Sequence, residues 1–154
     1  PTFFGWLVAL ICYHPFNSWF YKLRVAAIPS LILAIPKINV VVLIICLVVS
    51  LLSFLLYVWA SFALGYKAGN LVNRGIVRTG PYAYMRHPSY VGKNLGWLFI
   101  LIPVLNNLSQ ILLYVSMAFI YFLRAMTEER HLRQDPEYVE YCKDVKYRFI
   151  PGVF

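Results

Sequence analysis

INVVVLIICLVVSLLSFLLYVWASFALG, residues 38–65, runs for 28 residues without a charge. As a helix such a run measures roughly 42 Å, more than the hydrocarbon core of a bilayer, which is about 30 Å thick. It reads as a membrane span, and it sets the expectation for its neighbours. Upstream, residues 2–13 and 25–35 are shorter apolar runs, the second interrupted by Pro29 and ended by Pro36. Downstream, residues 91–105 and 108–123 form a helical hairpin around Asn106-Asn107. The second arm is expected to continue as a helix beyond the membrane through Glu128 and His131. The fold class that follows is all-α: a polytopic helical membrane protein of about five segments. Residues 1–65 form an N-terminal group of spans, and residues 66–154 a second unit of loop, hairpin and polar tail.

Composition agrees. Of 154 residues, 61% are hydrophobic and 13% charged, whereas a soluble domain is nearer half apolar and a quarter charged. The net charge of +8 is unevenly spread: all six acids lie at or after Glu128, and the preceding residues carry nine bases and no carboxylate. Those bases are separated by apolar runs rather than gathered on one polar face, which argues against nucleic-acid binding. Lys22, Arg24, Lys67, Arg74, Arg78, Arg86 and the basic tail fall on one side of the spans, with Lys37 and the Asn106-Asn107 turn on the other. The positive-inside rule makes the first side cytoplasmic. Cys12, Cys46 and Cys142 have neither metal spacing nor the pattern of a disulfide framework. The chain opens inside an apolar stretch without an initiator Met, so residues before Pro1 are expected.

Three features on the cytoplasmic side bear chemistry. The loop Asn73-Arg74-Gly75-Ile76-Val77-Arg78-Thr79-Gly80-Pro81-Tyr82 is turn-rich, with backbone amides available to a ligand. Its plain reading is a connector between spans. Next, Pro88 disfavours helical angles at His87 and suits the first turn of a helix. The unpaired amides of that turn favour a carboxylate or phosphate; the plain reading is a helix cap with an interfacial Tyr90. Third, Arg124 and Glu128 stand four apart on one helical face, with Tyr121 one turn before. Their plain reading is an i,i+4 salt bridge. Ionisable groups near a membrane are costly and tend to be functional.

Together, Gly80-x-Tyr82-x-x-x-Arg86-His87-Pro88-Ser89-Tyr90-Val91-Gly92, then Arg124-x-x-x-Glu128-Glu129-x-x-Leu132 and Glu137-Tyr138-x-x-Tyr141, resemble the isoprenylcysteine carboxyl methyltransferase family and the wider group of small membrane methyltransferases. The resemblance covers about residues 66–142. It implies that residues 66–154 are the methyltransferase core and that S-adenosylmethionine binds at the cytoplasmic membrane surface. Arg74, Gly75, Ile76, Val77, Tyr82, His87, Pro88, Ser89 and Tyr90 would line the cofactor pocket, Glu128 would close it, and Lys67 would be a more remote contact. Arg86 suits the cofactor carboxylate, and Arg124 would be the catalytic residue facing the methyl acceptor. That acceptor would be lipid-like or amphipathic, with an isoprenylcysteine-type carboxylate, a thiol or an amine all open. Membrane lipids are the other expected partners; oligomeric state is not indicated.

Two further readings carry their own signals. Tyr141-Cys142-x-x-Val145-x-Tyr147-Arg148-x-Ile150-Pro151 also resembles the membrane sterol reductases, which implies an NADPH-dependent reductase with a larger cofactor pocket. A non-catalytic membrane subunit would instead show an exposed loop and no cofactor-sized cavity.

Overall fold

Asn39 starts the longest apolar helix by accepting a hydrogen bond on its side-chain oxygen from the Val41 N–H at 2.9 Å. The computed structural model describes residues 2–13, 15–18, 21–22, 29, 38–67, 75–105 and 108–153. Among them are five α-helices and no strand. These are α1 (Phe3–Ile11), α2 (Val40–Leu64), α3 (Pro88–Leu101), α4 (Leu108–Leu132) and α5 (Pro136–Asp144). Short 3₁₀ turns at Gly65–Lys67, Gly80–Ala83 and Ile102–Val104 punctuate the connections.

Both α2 and α4 are long and apolar enough to cross a membrane. Each has 25 residues, which at 1.5 Å per residue is roughly 37 Å. The flank of α2 is consistent with lipid contact: Val41, Ile44, Leu51, Leu52 and Phe62 are all exposed. With 9 and 14 residues, α1 and α3 are shorter. The expected span over residues 25–35 (apart from Pro29) and the Asn106-Asn107 turn lie outside the described residues.

Small residues bring α2 and α3 together. Ser50, Ser53 and Ala60 are buried on α2, and Gly92 and Gly96 on α3. The Ser50 hydroxyl donates to the Gly96 carbonyl at 2.9 Å. A Cβ on Gly92 would lie 2.6 Å from the Ser53 carbonyl oxygen, so only glycine permits this crossing. The far end of α3 packs Leu101 and Val104 against Tyr114 of α4.

One stripe of α4 is buried: Tyr114, Met117, Tyr121, Arg124, Ala125 and Glu129 recur at helical spacing. Its composition changes from apolar to ionic toward the C-terminus, so a single helix joins an apolar core to a polar cluster. Along α4 lies α1: Gly5 approaches Thr127, and Cys12 packs on Met117 and Tyr121. The two helices therefore run antiparallel.

Two boundaries differ from the sequence reading. Starting at Pro88, with His87 as cap, α3 tightens into the 3₁₀ turn that holds Pro103 instead of running on to residue 105. The tail read as polar and aromatic contains α5, started by Asp135, whose side chain accepts from the Glu137 N–H at 2.9 Å, with Pro136 in the first turn. Asp135-Pro136 is a helix-start signal.

Candidate cofactor and acceptor site

Where α2, α3 and α4 meet the loop 75–83, they enclose a cavity of about 460 Å³. Such a volume lies within the range of about 300–1,000 Å³ typical of small-molecule sites. Lys67, Gly75, Ile76, Val77, Tyr82, Arg86, His87, Ser89, Tyr90, Arg124 and Glu128 all line it. Arg74 lies outside the described residues. Pro88 is a correction: it is fully buried and does not line the cavity, because its work is to begin α3.

The walls are set from several directions. Gly75 adopts φ 92°, and a Cβ there would stand 3.1 Å from the Lys67 ammonium, so glycine lets the loop close over the lysine. At the start of α3, the first intrahelical bond runs from the Val91 N–H to the His87 carbonyl at 3.2 Å. The Ser89 and Tyr90 amides precede it and face the same end of the helix as the cavity residues. The Tyr90 hydroxyl donates to Glu128 at 2.8 Å, and its ring stacks on His87 with centroids 5.5 Å apart.

Arg124 does not pair with Glu128, contrary to the plain i,i+4 reading. Its Nη2 donates to the Tyr13 hydroxyl at 3.1 Å, and its guanidinium carbon lies 5.1 Å from the Tyr13 ring centre and 5.8 Å from that of Tyr90. The residue is 8% exposed, and its Nε has no hydrogen-bond partner among the described residues. A buried, partly unsatisfied guanidinium in a cavity wall is suited to an anionic ligand.

Behind the cavity, Glu129 gathers basic side chains. Arg86 Nε and His87 Nε2 each lie 3.3 Å from its Oε1, and Arg148 Nε lies 3.2 Å from its Oε2. The Arg86 N–H donates to the Tyr147 carbonyl at 3.0 Å and the His87 N–H to the Arg148 carbonyl at 2.9 Å. The C-terminal tail is thus tied to the start of α3. Arg86 also donates to the Cys142 sulfur at 2.9 Å, so its guanidinium is committed to bracing although an edge reaches the cavity.

Burial pushes the Tyr82 hydroxyl up to about 12; a hydrogen bond with Ser89 opposes this and the Glu128 charge adds to it. Tyr138 and Tyr141 are raised as well, chiefly by burial. All three therefore stay neutral hydrogen-bonding groups at ordinary pH. The Tyr141 hydroxyl donates to the Tyr82 carbonyl at 2.7 Å, fixing α5 against the loop. Arg78 clamps the same two elements from outside, meeting Glu140 at 3.1 Å and Asp144 at 3.4 Å.

Several lining residues were not selected from the sequence: Cys12, Tyr13, Tyr57, Lys93, Tyr121, Tyr138 and Tyr141 among them. Three had a visible signal: Tyr121 one turn before Arg124, and Tyr138 and Tyr141 in the Glu-Tyr-x-x-Tyr motif. Cys12, Tyr13 and Tyr57 precede residue 66, so the cavity draws on both halves of the chain.

The described residues are thus all-helical, with two helices long and apolar enough to cross a membrane and a polar, aromatic cavity where α4 changes from apolar to ionic. Residues 63–134, just under half of the chain, match the model of the isoprenylcysteine carboxyl methyltransferase (ICMT) family. Through this segment the chain is similar to that family, whose members are membrane-embedded methyltransferases. No curated protein and no solved structure matches the chain.

Proposed function

We propose that the chain transfers a methyl group from S-adenosylmethionine to an anionic, lipid-like acceptor, with a carboxylate as the favoured acceptor group. The observation that carries this is the charge of the cavity wall. Lys67, Arg86, Lys93 and Arg124 line it, and Glu128 is the one carboxylate among its described lining residues. An amine acceptor would enter such a site against its charge; a carboxylate or thiolate enters with it.

The residues present fit the cofactor. When bound, S-adenosylmethionine supplies a methyl group already activated on a positively charged sulfur. The Ser89 and Tyr90 amides at the start of α3 suit its carboxylate. That role falls to them rather than to Arg86, whose guanidinium is engaged with Glu129 and Cys142. Glu128, held by the Tyr90 hydroxyl, suits the ammonium or the ribose hydroxyls. Tyr82 and the loop residues Ile76 and Val77 offer flat and apolar surface to the adenine. Arg124 orients the acceptor anion. Because a carboxylate needs no deprotonation at neutral pH, no general base is required, and positioning supplies most of the acceleration. The loop bases Arg78 and Arg86 support placing the cofactor end on the cytoplasmic face.

Neither alternative reading finds support. The reductase-like tail residues Tyr141, Tyr147 and Arg148 brace the loop, the start of α3 and Glu129. A bare scaffold does not account for the cavity. Calorimetry of the detergent-purified protein should show binding of S-adenosylhomocysteine that is weakened at least tenfold by Glu128→Ala and by His87→Ala. Labelled methyl transfer should favour carboxylate over thiol and amine lipids. Binding that is absent, or indifferent to both substitutions, would remove the cofactor reading; preferential labelling of an amine lipid would remove the acceptor reading alone.

A further inference from the structure

Arg124 reaches the cavity from α4, yet it donates a hydrogen bond to a residue far away in sequence. Tyr13 lies just beyond α1, outside the segment 63–134 that carries the family match. Its hydroxyl accepts from Arg124 Nη2 at 3.1 Å while its ring stands 5.1 Å from the guanidinium carbon. On the other side, the Tyr90 ring lies 5.8 Å away. The guanidinium is therefore flanked by two aromatic rings, one from each half of the chain.

Tyr13 is itself held in place. Its N–H donates to the Leu10 carbonyl at 2.9 Å, its carbonyl accepts from the Asn17 N–H at 3.1 Å, and the Asn17 side chain donates to the Cys12 carbonyl at 2.8 Å. Cys12 is buried against Met117 and Tyr121 of α4. The turn after α1 is thus fixed both to its own helix and to the helix that carries Arg124. The Arg124 Nε remains a buried donor with no hydrogen-bond partner among the described residues, in a residue only 8% exposed. An unsatisfied buried donor of this kind is costly unless a ligand completes it.

We infer that Tyr13 is a positioning residue of the acceptor site: it holds Arg124 so that the guanidinium meets the acceptor's anionic group, and α1 thereby completes the acceptor half of the cavity. This rests on the reading of Arg124 as the acceptor contact. The proposed cofactor half is built from the loop 75–83, the start of α3 and Glu128.

The test compares Tyr13→Phe, Tyr13→Ala, Arg124→Ala and the double variant Tyr13→Phe/Arg124→Ala. N-acetyl-S-farnesylcysteine serves as the carboxylate acceptor and S-adenosylhomocysteine as the cofactor probe. Tyr13→Phe keeps the ring and removes the hydrogen bond. Its acceptor kcat/KM should fall on the order of tenfold, through KM, as expected for a lost charge-assisted hydrogen bond. Tyr13→Ala should fall further, while the Kd for S-adenosylhomocysteine stays within about twofold in both, as unperturbed packing requires. In the Arg124→Ala background, Tyr13→Phe should have no further effect, since the two residues act as one unit. An undiminished effect in that background, or unchanged acceptor kinetics for Tyr13→Phe with cofactor binding intact, would overturn the inference and leave the cofactor reading standing. A native protein that binds S-adenosylhomocysteine but does not methylate this carboxylate would overturn the acceptor reading and the inference together. Failure to bind S-adenosylhomocysteine would overturn the cofactor reading first.

Discussion

Glu129 shows how much one buried charge can organise. It is 2% exposed and lies within 3.3 Å of Arg86 and His87 and 3.2 Å of Arg148. Removing it would strand a buried guanidinium and loosen the tail from the start of α3. Glu129→Ala should therefore destabilise the protein by about 3–5 kcal/mol, the scale for breaking a buried pair from one side. Arg78, by contrast, meets Glu140 and Asp144 at the surface, and Arg78→Ala should cost about 1 kcal/mol or less. Thermal unfolding in detergent checks both, and equal losses would contradict the assignment of Glu129 as the hub. The neighbouring Glu128, which lines the cavity, stood out in the sequence because it is the first carboxylate of the chain and sits four residues after Arg124. Glu129 did not, because its partners include Arg148 of an irregular tail whose path no periodicity reveals.

At the scale of elements, the crossing of α2 and α3 positions the cavity. Tyr57, Ser61 and Leu64 of α2 line it opposite Ser89 and Tyr90 of α3. The crossing depends on Gly92, where an added Cβ would stand 2.6 Å from the Ser53 carbonyl oxygen and 2.7 Å from the Tyr57 backbone nitrogen. Gly96 is less constrained by backbone, since its Cβ would meet the Phe54 ring at 2.9 Å. Neither contact in Gly92→Ala can be relieved by a rotamer change, so the helices must separate. The expected cost is about 1–3 kcal/mol, as for other overpacked interiors, with weaker binding of S-adenosylhomocysteine. Gly96→Ala should be the milder of the two. Melting curves and calorimetry on the pair provide the check, and the reverse order would place the closest approach elsewhere. The start of α3 was legible from Pro88, whose fixed φ suits a first turn. So was the length of α2, from its uncharged run. The depth of the crossing was not, since two glycines four apart say that a close neighbour is possible without naming it. The helix α5 was missed for a related reason: its nine residues are too polar for a membrane pattern, and their buried face consists of Tyr138 and Tyr141.

For the molecule as a whole, the open question is sidedness, and charge decides the expectation. Before Glu128 the chain has no carboxylate, so its loop bases act on topology without opposing acids nearby. The loop 75–83 and α5 are locked together by Arg78 and by the Tyr141 hydroxyl on the Tyr82 carbonyl. They must share one side of the membrane, whatever the number of spans upstream. Thr79 on the loop and Lys143 on α5 are both exposed. Introduced singly into a variant with Cys12, Cys46 and Cys142 replaced by alanine, Thr79→Cys and Lys143→Cys should react with a membrane-impermeant maleimide from the same face. In inverted cytoplasmic-membrane vesicles that face should be outward, and in right-side-out vesicles both sites should be protected. Labelling of the two cysteines from opposite faces would break the clamp between loop and α5. Labelling of both from the non-cytoplasmic face would preserve the clamp and overturn the orientation, because a loop carrying Arg78 and Arg86 would then have crossed against the charge rule. The distinction bears directly on the proposed mechanism, because a water-soluble methyl donor would have to come from the compartment that the loop 75–83 faces.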